Sequence, residues 1–137
     1  MGELYAHYTF VPWDDKRWPK FSPGERNLAC PCCGEFYLDD IMFDRLQFAR
    51  TESGRSFHIN SGHRCVRHNR TVGGRERSRH LRLAFDISLA GHNHLELLGQ
   101  LRGAGFTTFG FYNSFIHTDD RPGRIWYTKS GREKWKP

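Results

Sequence analysis

The stretch "SRHLRLAFDI", residues 78–87, decides how the middle of the chain folds. Its apolar part continues into "LAFDISL", a pattern typical of a strand that enters the core. His80 and Asp86 stand at the two ends of this segment, and an extended chain would hold them about 20 Å apart at roughly 3.3 Å per residue. Both are residue types that bind metal ions. The polar, glycine-containing lead-in "VGGRERS" predicts a loop that doubles back over the mouth of the strand and brings His80 towards Asp86.

A third potential ligand lies further along the chain, in "SFIHTDDR", residues 114–121. A histidine beside a single aspartate is most often an ordinary hydrogen-bonding pair, and His117 strengthens the alternative of a metal site. On an extended strand His117 and Asp119 face the same way. Two histidines and one carboxylate are the protein ligands of known catalytic zinc sites, which leave a fourth position open to water. A zinc ion lowers the pKa of that water to about 7.

Two segments have the sequence features of helices. "LDDIMFDRLQFARTESG" has the apolar spacing of a helix, with carboxylates near its start and a glycine at its end. "NHLELLGQLRGAGF" predicts a second helix that begins after Asn93 as its N-cap. The inward-facing stripe of this second helix is predicted to consist of Leu95, Leu98 and Leu101.

The remaining apolar runs are short and predict strands. They are "SFHIN", "LAFDISL", "TTFGFY", "FIHTD" and "RIWYT". The segment "SGHRCVRHNRTVGGRERS" is predicted to be a long polar loop, and a loop of this length tends to be functional. We therefore expect an α+β fold, a mainly antiparallel sheet with two principal helices packed on it. Residues 1–137 are expected to form one domain, on which residues 1–27 pack as an arm.

The composition limits the classes of partner. Lysine and arginine number 21 against 15 acidic residues, for a formal net charge of +6. This favours a polyanionic partner, although a solvated basic surface is the plain alternative. No nucleic-acid recognition motif has its expected spacing, and no run approaches the roughly 20 apolar residues of a membrane span. The first residues lack the pattern of a secretion signal, so we expect synthesis in the cytoplasm.

Three of the four cysteines lie in "CPCCGE", residues 30–35, and the fourth is Cys65. Only half of a paired C-x-x-C zinc pattern is present. With no secretion signal, a disulfide framework is not expected. The plain expectation is a set of buried, reduced thiols that support a turn. A second metal site and a redox link remain the alternatives.

Three motifs occur in a characteristic order: "SGHRCVRHNRTVGG", then "SRHLRLAFDI", then "FIHTDDR" followed by "GRIWY". Together they resemble the M15 zinc peptidases, the D-alanyl-D-alanine carboxypeptidase group. The similarity spans residues 21–128 and includes "FSPGERNLACPCCGE", which looks like the family's segment before the first helix. The resemblance implies a fold like that of hedgehog and the DD-peptidases. It also implies a stand-alone catalytic domain that cuts cell-wall peptides, as in phage endolysins.

Position by position, the resemblance assigns roles to individual residues. It makes His80, Asp86 and His117 the ligands of a Zn²⁺ ion. Arg64 would hold the substrate carboxylate or the developing oxyanion, and its alternative role is a surface salt bridge. Ser78 would bind substrate or support the site by a hydrogen bond, and its alternative role is that of a turn residue.

The chain departs from the family pattern in two places. The pattern places its first histidine and aspartate one position further apart, with a glycine between them, whereas His80 and Asp86 here are six positions apart and lack that glycine. Several members have a carboxylate three residues before the last histidine, where this chain has Ser114. Asp119 is then the candidate general base, or it holds the ring of a ligand histidine.

These features predict a zinc-dependent peptidase that hydrolyses D-alanine-containing peptidoglycan stem peptides, as a D,D-carboxypeptidase or as an endopeptidase. We expect a monomer that acts on the cell wall, reached at phage lysis, with no membrane or nucleic-acid partner. The alternative is a non-catalytic wall-binding or virion module on the same fold, which the two departures favour. His63 and His68 are expected to be solvated.

Overall fold

The structure is a computed structural model that describes residues 2–136. Within this range the strands are β1 (Glu3–Tyr5), β2 (Phe36–Leu38), β3 (Ile59–Ser61), β4 (Phe85–Ser88), β5 (Thr108–Phe111), β6 (Phe115–Asp119) and β7 (Ile125–Tyr127). The α-helices are α1 (Asp40–Ser53), α2 (Val66–Thr71), α3 (His94–Gly103) and α4 (Lys129–Trp135). Short 3-10 turns form at Tyr8–Phe10 and Arg79–Leu81.

A five-stranded sheet in the order β3–β4–β6–β5–β7 lies at the centre of the fold. All neighbouring strands are antiparallel except β5 and β7, which are parallel. On β4 the side chains of Phe85 and Ile87 are fully buried in the core, and the Phe85 ring contacts Phe43 of α1. Since side chains alternate along a strand, Asp86 faces the opposite side of the sheet. The predicted α+β class with a mainly antiparallel sheet is confirmed.

Helices α1 and α3 pack against each other. The predicted N-cap of α3 is observed, because Asn93 Oδ1 accepts hydrogen bonds from the backbone N–H groups of Leu95 and Glu96. The predicted apolar stripe of α3 is partly wrong, since Leu97 and Leu101 are fully buried whereas Leu95 is 57% exposed. Successive residues are about 100° apart around a helix axis, so Leu95 lies about 200° from Leu97 and faces away from the core. No helix between residues 2 and 136 has the length and apolarity needed to cross a membrane.

The N-terminal arm packs on α1. Trp18 is 2% exposed and belongs to the same buried cluster as Phe43. Its indole Nε1 donates a hydrogen bond to Asp44 at 2.9 Å, and Arg17 Nε donates to the same carboxylate at 2.7 Å. Strand β1 pairs with β2 as a separate two-stranded sheet. The arm therefore supplies part of the core that supports α1.

The segment predicted to be a long polar loop contains helix α2, so the prediction is wrong for Val66–Thr71. Cys65 is the N-cap, and its Sγ accepts a hydrogen bond from the backbone N–H of His68. Asn69 is buried, and its side-chain amide donates to the carbonyl of Arg75 at 2.9 Å. A six-residue helix is too short to show apolar periodicity, and it is stabilised by these contacts rather than by its own propensity.

Candidate active site

Asp86 and His117 are direct partners across the β4–β6 pairing. Directly opposed residues in an antiparallel pair present their side chains on the same face, with Cβ atoms about 5 Å apart. His117 Nδ1 accordingly lies 2.9 Å from Asp86 Oδ1. Both side chains are largely buried. The register of two core strands therefore fixes two of the three predicted ligands beside each other.

His80 reaches the same place from the 3-10 turn at Arg79–Leu81, as the sequence predicted for a loop that doubles back. Its Nε2 lies 3.2 Å from Asp86 Oδ2. Ser78 Oγ accepts a hydrogen bond from the backbone N–H of His80 at 3.2 Å and so caps the turn. The carbonyl of His80 accepts from the backbone N–H of Arg64 at 2.7 Å. The turn is thus held from both sides.

The bend between His80 and β4 forms without the glycine of the family pattern. Arg82 follows the 3-10 turn with a negative φ of −111°, so the bend does not use the left-handed region that favours glycine. His63 Nδ1 donates to the Arg82 carbonyl at 2.6 Å, and His63 Nε2 lies 2.8 Å from Glu35 Oε1. The prediction that His63 is solvated is wrong, since it is 1% exposed. The buried His63 side chain therefore stabilises the bend that the glycine-free spacing between His80 and Asp86 requires.

The outer partners of the two histidine rings leave the right nitrogen atoms free to bind a metal. His80 Nδ1 lies 2.7 Å from the carbonyl of Gly62, which can only accept, so Nδ1 donates and in the neutral ring Nε2 keeps its lone pair towards Asp86. His117 Nε2 lies 2.7 Å from Asp119 Oδ2, so in the neutral ring Nδ1 keeps its lone pair towards Asp86. All three ligand atoms lie within 4.8 Å of one another. The donor set fits a divalent ion such as zinc.

The charges of the site are strongly coupled. Burial alone raises the pKa of Asp86, but His80 and His117 outweigh it and hold the pKa of this carboxyl well below its usual range. For His117, burial lowers the pKa of the ring, and the hydrogen bonds with Asp119 and Asp86 reverse the effect and raise it. Asp86 is therefore an anion at neutral pH, as a metal ligand must be.

Asp119 lies behind the His117 ring, on the side away from Asp86. It is fully buried. Burial raises its pKa, but the hydrogen bonds with His117 and Arg121 dominate and lower it. Arg121 donates to Asp119 Oδ1 through Nε at 3.0 Å and to Oδ2 through Nη2 at 2.7 Å. These contacts resemble the carboxylate–histidine–metal arrangement that fixes the orientation of a ligand ring.

Arg64 lies at the edge of the site rather than in a surface salt bridge. Its Nη2 lies 4.0 Å from Asp86 Oδ2, and its side chain is mostly buried. Its Nε donates to Ser61 Oγ at 3.1 Å and its Nη1 donates to Asn69 Oδ1 at 3.2 Å. A guanidinium held at two of its nitrogen atoms keeps a fixed orientation, which suits it to bind a carboxylate.

The comparison with protein families agrees with this geometry. The family model described as Peptidase M15 matches residues 34–119, which is more than half of the chain and includes His80, Asp86 and His117. The chain belongs to the M15 peptidase family. The resemblance drawn from the sequence motifs is thereby confirmed. A search of curated proteins finds no match to the chain.

In this M15 peptidase the candidate ligands open onto a cavity of about 660 Å³. Six arginines line it: Arg64, Arg75, Arg77, Arg79, Arg121 and Arg124. Among the described residues that line the cavity, Asp86 is the only carboxylate. Asp119 is not among the lining residues, whereas Ser78 is. Arg79 and Arg121 are paired with Asp120 and Asp119, so the excess positive charge of the cavity comes from the other four arginines.

The aromatic wall of the cavity was not singled out from the sequence. Trp126 of β7 lies over His117, with ring centroids 5.0 Å apart. The Trp126 ring occupies the space where a side chain at Gly110 would stand, so only glycine fits on β5 at this position. The sequence predicts a strand at "RIWYT" but gives no sign of its parallel pairing with β5, which places Trp126 beside Gly110 and His117.

Proposed function

We propose that this M15 family member is a zinc-dependent peptidase that hydrolyses D-alanine-containing stem peptides of peptidoglycan. The observation that carries the proposal is the convergence of His80, Asp86 and His117 at the floor of an arginine-lined cavity. We further propose that it works as a single-domain monomer on the cell wall, as phage endolysins do. The net charge of +6 suits an anionic wall polymer.

In the proposed mechanism His80, Asp86 and His117 hold the zinc ion. When bound, the ion supplies a nucleophile at neutral pH by lowering the pKa of a water molecule, and it polarises the scissile carbonyl. The Gly62 carbonyl fixes the tautomer of His80 through a hydrogen bond to its outer nitrogen. Asp119 does the same for His117. These outer contacts keep the inner nitrogen atoms pointed at Asp86 before substrate arrives.

Substrate recognition is proposed to depend on the arginines. The terminal D-alanine of a stem peptide carries a free carboxylate, and the Arg64 guanidinium lies beside the candidate metal ligands, 4.0 Å from Asp86 Oδ2. The Ser78 hydroxyl oxygen accepts from His80, so its proton is available to donate to the substrate backbone. Arg75, Arg77 and Arg124 add positive charge at the cavity wall and favour stem peptides that carry further carboxylates.

The test of this proposal uses the full chain loaded with zinc. Purified peptidoglycan and a synthetic stem pentapeptide ending in D-alanyl-D-alanine are incubated with the protein, and products are followed by mass spectrometry. We expect release of free D-alanine or of cleaved cross-links, loss of this activity on chelation, and recovery on adding zinc. Free D-alanine indicates carboxypeptidase action and larger fragments indicate endopeptidase action. Zinc-loaded protein with no turnover on either substrate would contradict the proposal.

A second candidate function is a non-catalytic wall-binding module on the same fold. One observation favours it: Asp86 is the only carboxylate among the described residues lining the cavity, so no second carboxylate stands ready as a general base. This candidate predicts stoichiometric binding of wall fragments with no product. Equilibrium binding measured on the same samples as the hydrolysis assay separates the two functions.

The role proposed for Asp119 gives a prediction. Asp119→Asn should weaken zinc affinity about 10- to 100-fold, because the amide holds the His117 ring less firmly than a carboxylate does. At saturating zinc, kcat should return close to the wild-type value. Competition with a fluorescent chelator measures the affinity. A kcat that stays roughly 10²-fold or more below wild type at saturating zinc would identify Asp119 as the general base instead.

Asp120→Asn is the matched control for this experiment. Asp120 is the next residue along the chain, and its carboxylate accepts from Arg79 at 2.6 Å without touching a candidate ligand. The substitution is chemically the same, so it should leave zinc affinity unchanged. An equal loss of affinity in Asp120→Asn would mean that the effect arises from net charge alone.

A further inference from the structure

The four cysteines of the chain come together in the structure. Cys30, Cys32 and Cys33 lie in the turn before β2, and Cys65 caps α2 from a distant part of the sequence. The Sγ atoms of Cys30 and Cys32 are 3.6 Å apart, and those of Cys32 and Cys65 are 3.4 Å apart. All four Sγ atoms lie within 4.8 Å of one another. The expectation of buried thiols is wrong for Cys32 and Cys33, which are exposed.

The spacing of the sulfur atoms fits metal coordination and does not fit disulfides. A disulfide requires an S–S distance of about 2.05 Å, and all four cysteines are free. Four thiolates around a tetrahedral zinc ion at about 2.3 Å each would lie about 3.8 Å from one another. The observed separations are already close to this value before any adjustment of rotamers.

A closed backbone turn at residues 30–35 brings three of these sulfur atoms together. The N–H of Cys30 donates to the Glu35 carbonyl at 2.7 Å, and the N–H of Gly34 donates to the Cys30 carbonyl at 2.8 Å. Gly34 has φ +81°, a conformation that side chains disfavour, and the His7 ring fills the space where its Cβ would stand. This closed turn gathers Cys30, Cys32 and Cys33 on one side. Cys65 completes the set from across the fold.

We propose that Cys30, Cys32, Cys33 and Cys65 bind a second zinc ion. Four cysteine ligands fill the tetrahedral coordination of zinc and leave no position for water, so this site is structural rather than catalytic. Binding displaces the thiol protons to solvent and leaves a complex of net charge −2. The Arg67 guanidinium lies 3.9 Å from Cys32 Sγ and partly balances that charge. The inference does not rest on the proposed peptidase function.

The second zinc ion would connect two parts of the fold that meet at the active site. Cys65 directly follows Arg64, and the cysteine turn leads through Glu35 into β2. Glu35 in turn contacts His63, which braces the bend behind His80. Coordination of Cys65 therefore restrains the segment from His63 to Arg64. Loss of the ion is expected to loosen Arg64 and the turn that carries His80, while the directly paired Asp86 and His117 stay in register.

The test is a count of zinc ions per chain by native mass spectrometry. Wild-type protein should bind two, whereas Cys65→Ser and His117→Ala should each bind one and the double variant none. Val66→Ser changes the neighbouring exposed residue and should keep both ions. Cobalt substitution gives a second readout, because thiolate–cobalt charge-transfer bands should persist in His117→Ala and disappear in Cys65→Ser.

Thiol reactivity keeps the test decisive if Cys65→Ser fails to fold. In zinc-loaded wild-type protein all four thiols should react slowly with a disulfide reagent, and a chelator should make them react rapidly. A wild-type protein that binds one zinc, lost in His117→Ala, and whose thiols react freely would overturn the proposal. The peptidase proposal fails separately, when His117→Ala retains both zinc ions or when zinc-loaded wild-type protein gives no turnover.

Discussion

His117→Ala should lower the rate of peptide hydrolysis by a factor on the order of 10³ or more. His117 supplies one of the three candidate ligand atoms that lie within 4.8 Å of one another, so its removal would abolish the proposed zinc site. Without the ion, the water pKa returns from about 7 towards 15.7 and the nucleophile at neutral pH is lost. Initial rates of D-alanine release at saturating zinc measure the effect.

The same substitution should also destabilise the fold to a smaller degree. His117 contacts both Asp86 and Asp119 in a buried setting, and its loss leaves these carboxylates without that partner. The expected cost is about 1–3 kcal/mol in the free energy of unfolding, measured with denaturant. His58→Ala is the control, because His58 is exposed and does not line the cavity. Hydrolysis by folded His117→Ala at the wild-type rate would place the chemistry elsewhere in the molecule.

Arg64→Ala should lower kcat/KM about 10²- to 10³-fold for a stem peptide with a free terminal carboxylate. Each factor of ten corresponds to about 1.4 kcal/mol of lost binding to the transition state. Truncating one partner of a buried, hydrogen-bonded charge pair costs about 2–5 kcal/mol, which covers this range. Arg64→Lys should retain part of the activity, because it keeps the charge but cannot bond both Ser61 and Asn69.

The substrate itself supplies the sharpest control for Arg64. A stem peptide whose terminal carboxylate is amidated lacks the proposed partner of the guanidinium. Arg64→Ala should therefore lower kcat/KM much less for the amide than for the free acid. Arg70 is exposed on α2 and does not line the cavity, so Arg70→Ala should leave kcat/KM unchanged for both substrates. Equal losses with both substrates would show that Arg64 supports the structure of the site and does not bind the carboxylate.

Much of the fold and of the candidate site could be predicted from local sequence patterns. The strand that carries Asp86, the strand that carries His117 and the cap of α3 each depend on neighbouring residues. In the apolar stripe of α3, Leu101 was predicted correctly, whereas Leu95 was assigned a core position that Leu97 fills, because several leucines crowd the same turn. The three candidate ligands followed from residue type and from motif order.

The features that sequence missed are those that long-range contacts create. His63 is buried because Glu35 and the carbonyl of Arg82 meet it from different segments. Helix α2 exists because Cys65 and Asn69 bond to backbone groups that flank it. The convergence of the cysteines needs the turn at Cys30–Cys33 to reach Cys65, which lies 32 to 35 positions further along the chain. None of these contacts leaves a periodic signal along the chain.

The direct pairing of Asp86 with His117 has a consequence for how the protein reaches its active form. A slip of one residue between β4 and β6 would turn one of the two side chains to the opposite face of the sheet. The misaligned chain could still bury much apolar surface, but it would lose its affinity for the ion. If the site binds zinc as proposed, the ion would favour the correct strand alignment during assembly, and its retention would report that the central sheet has formed in register.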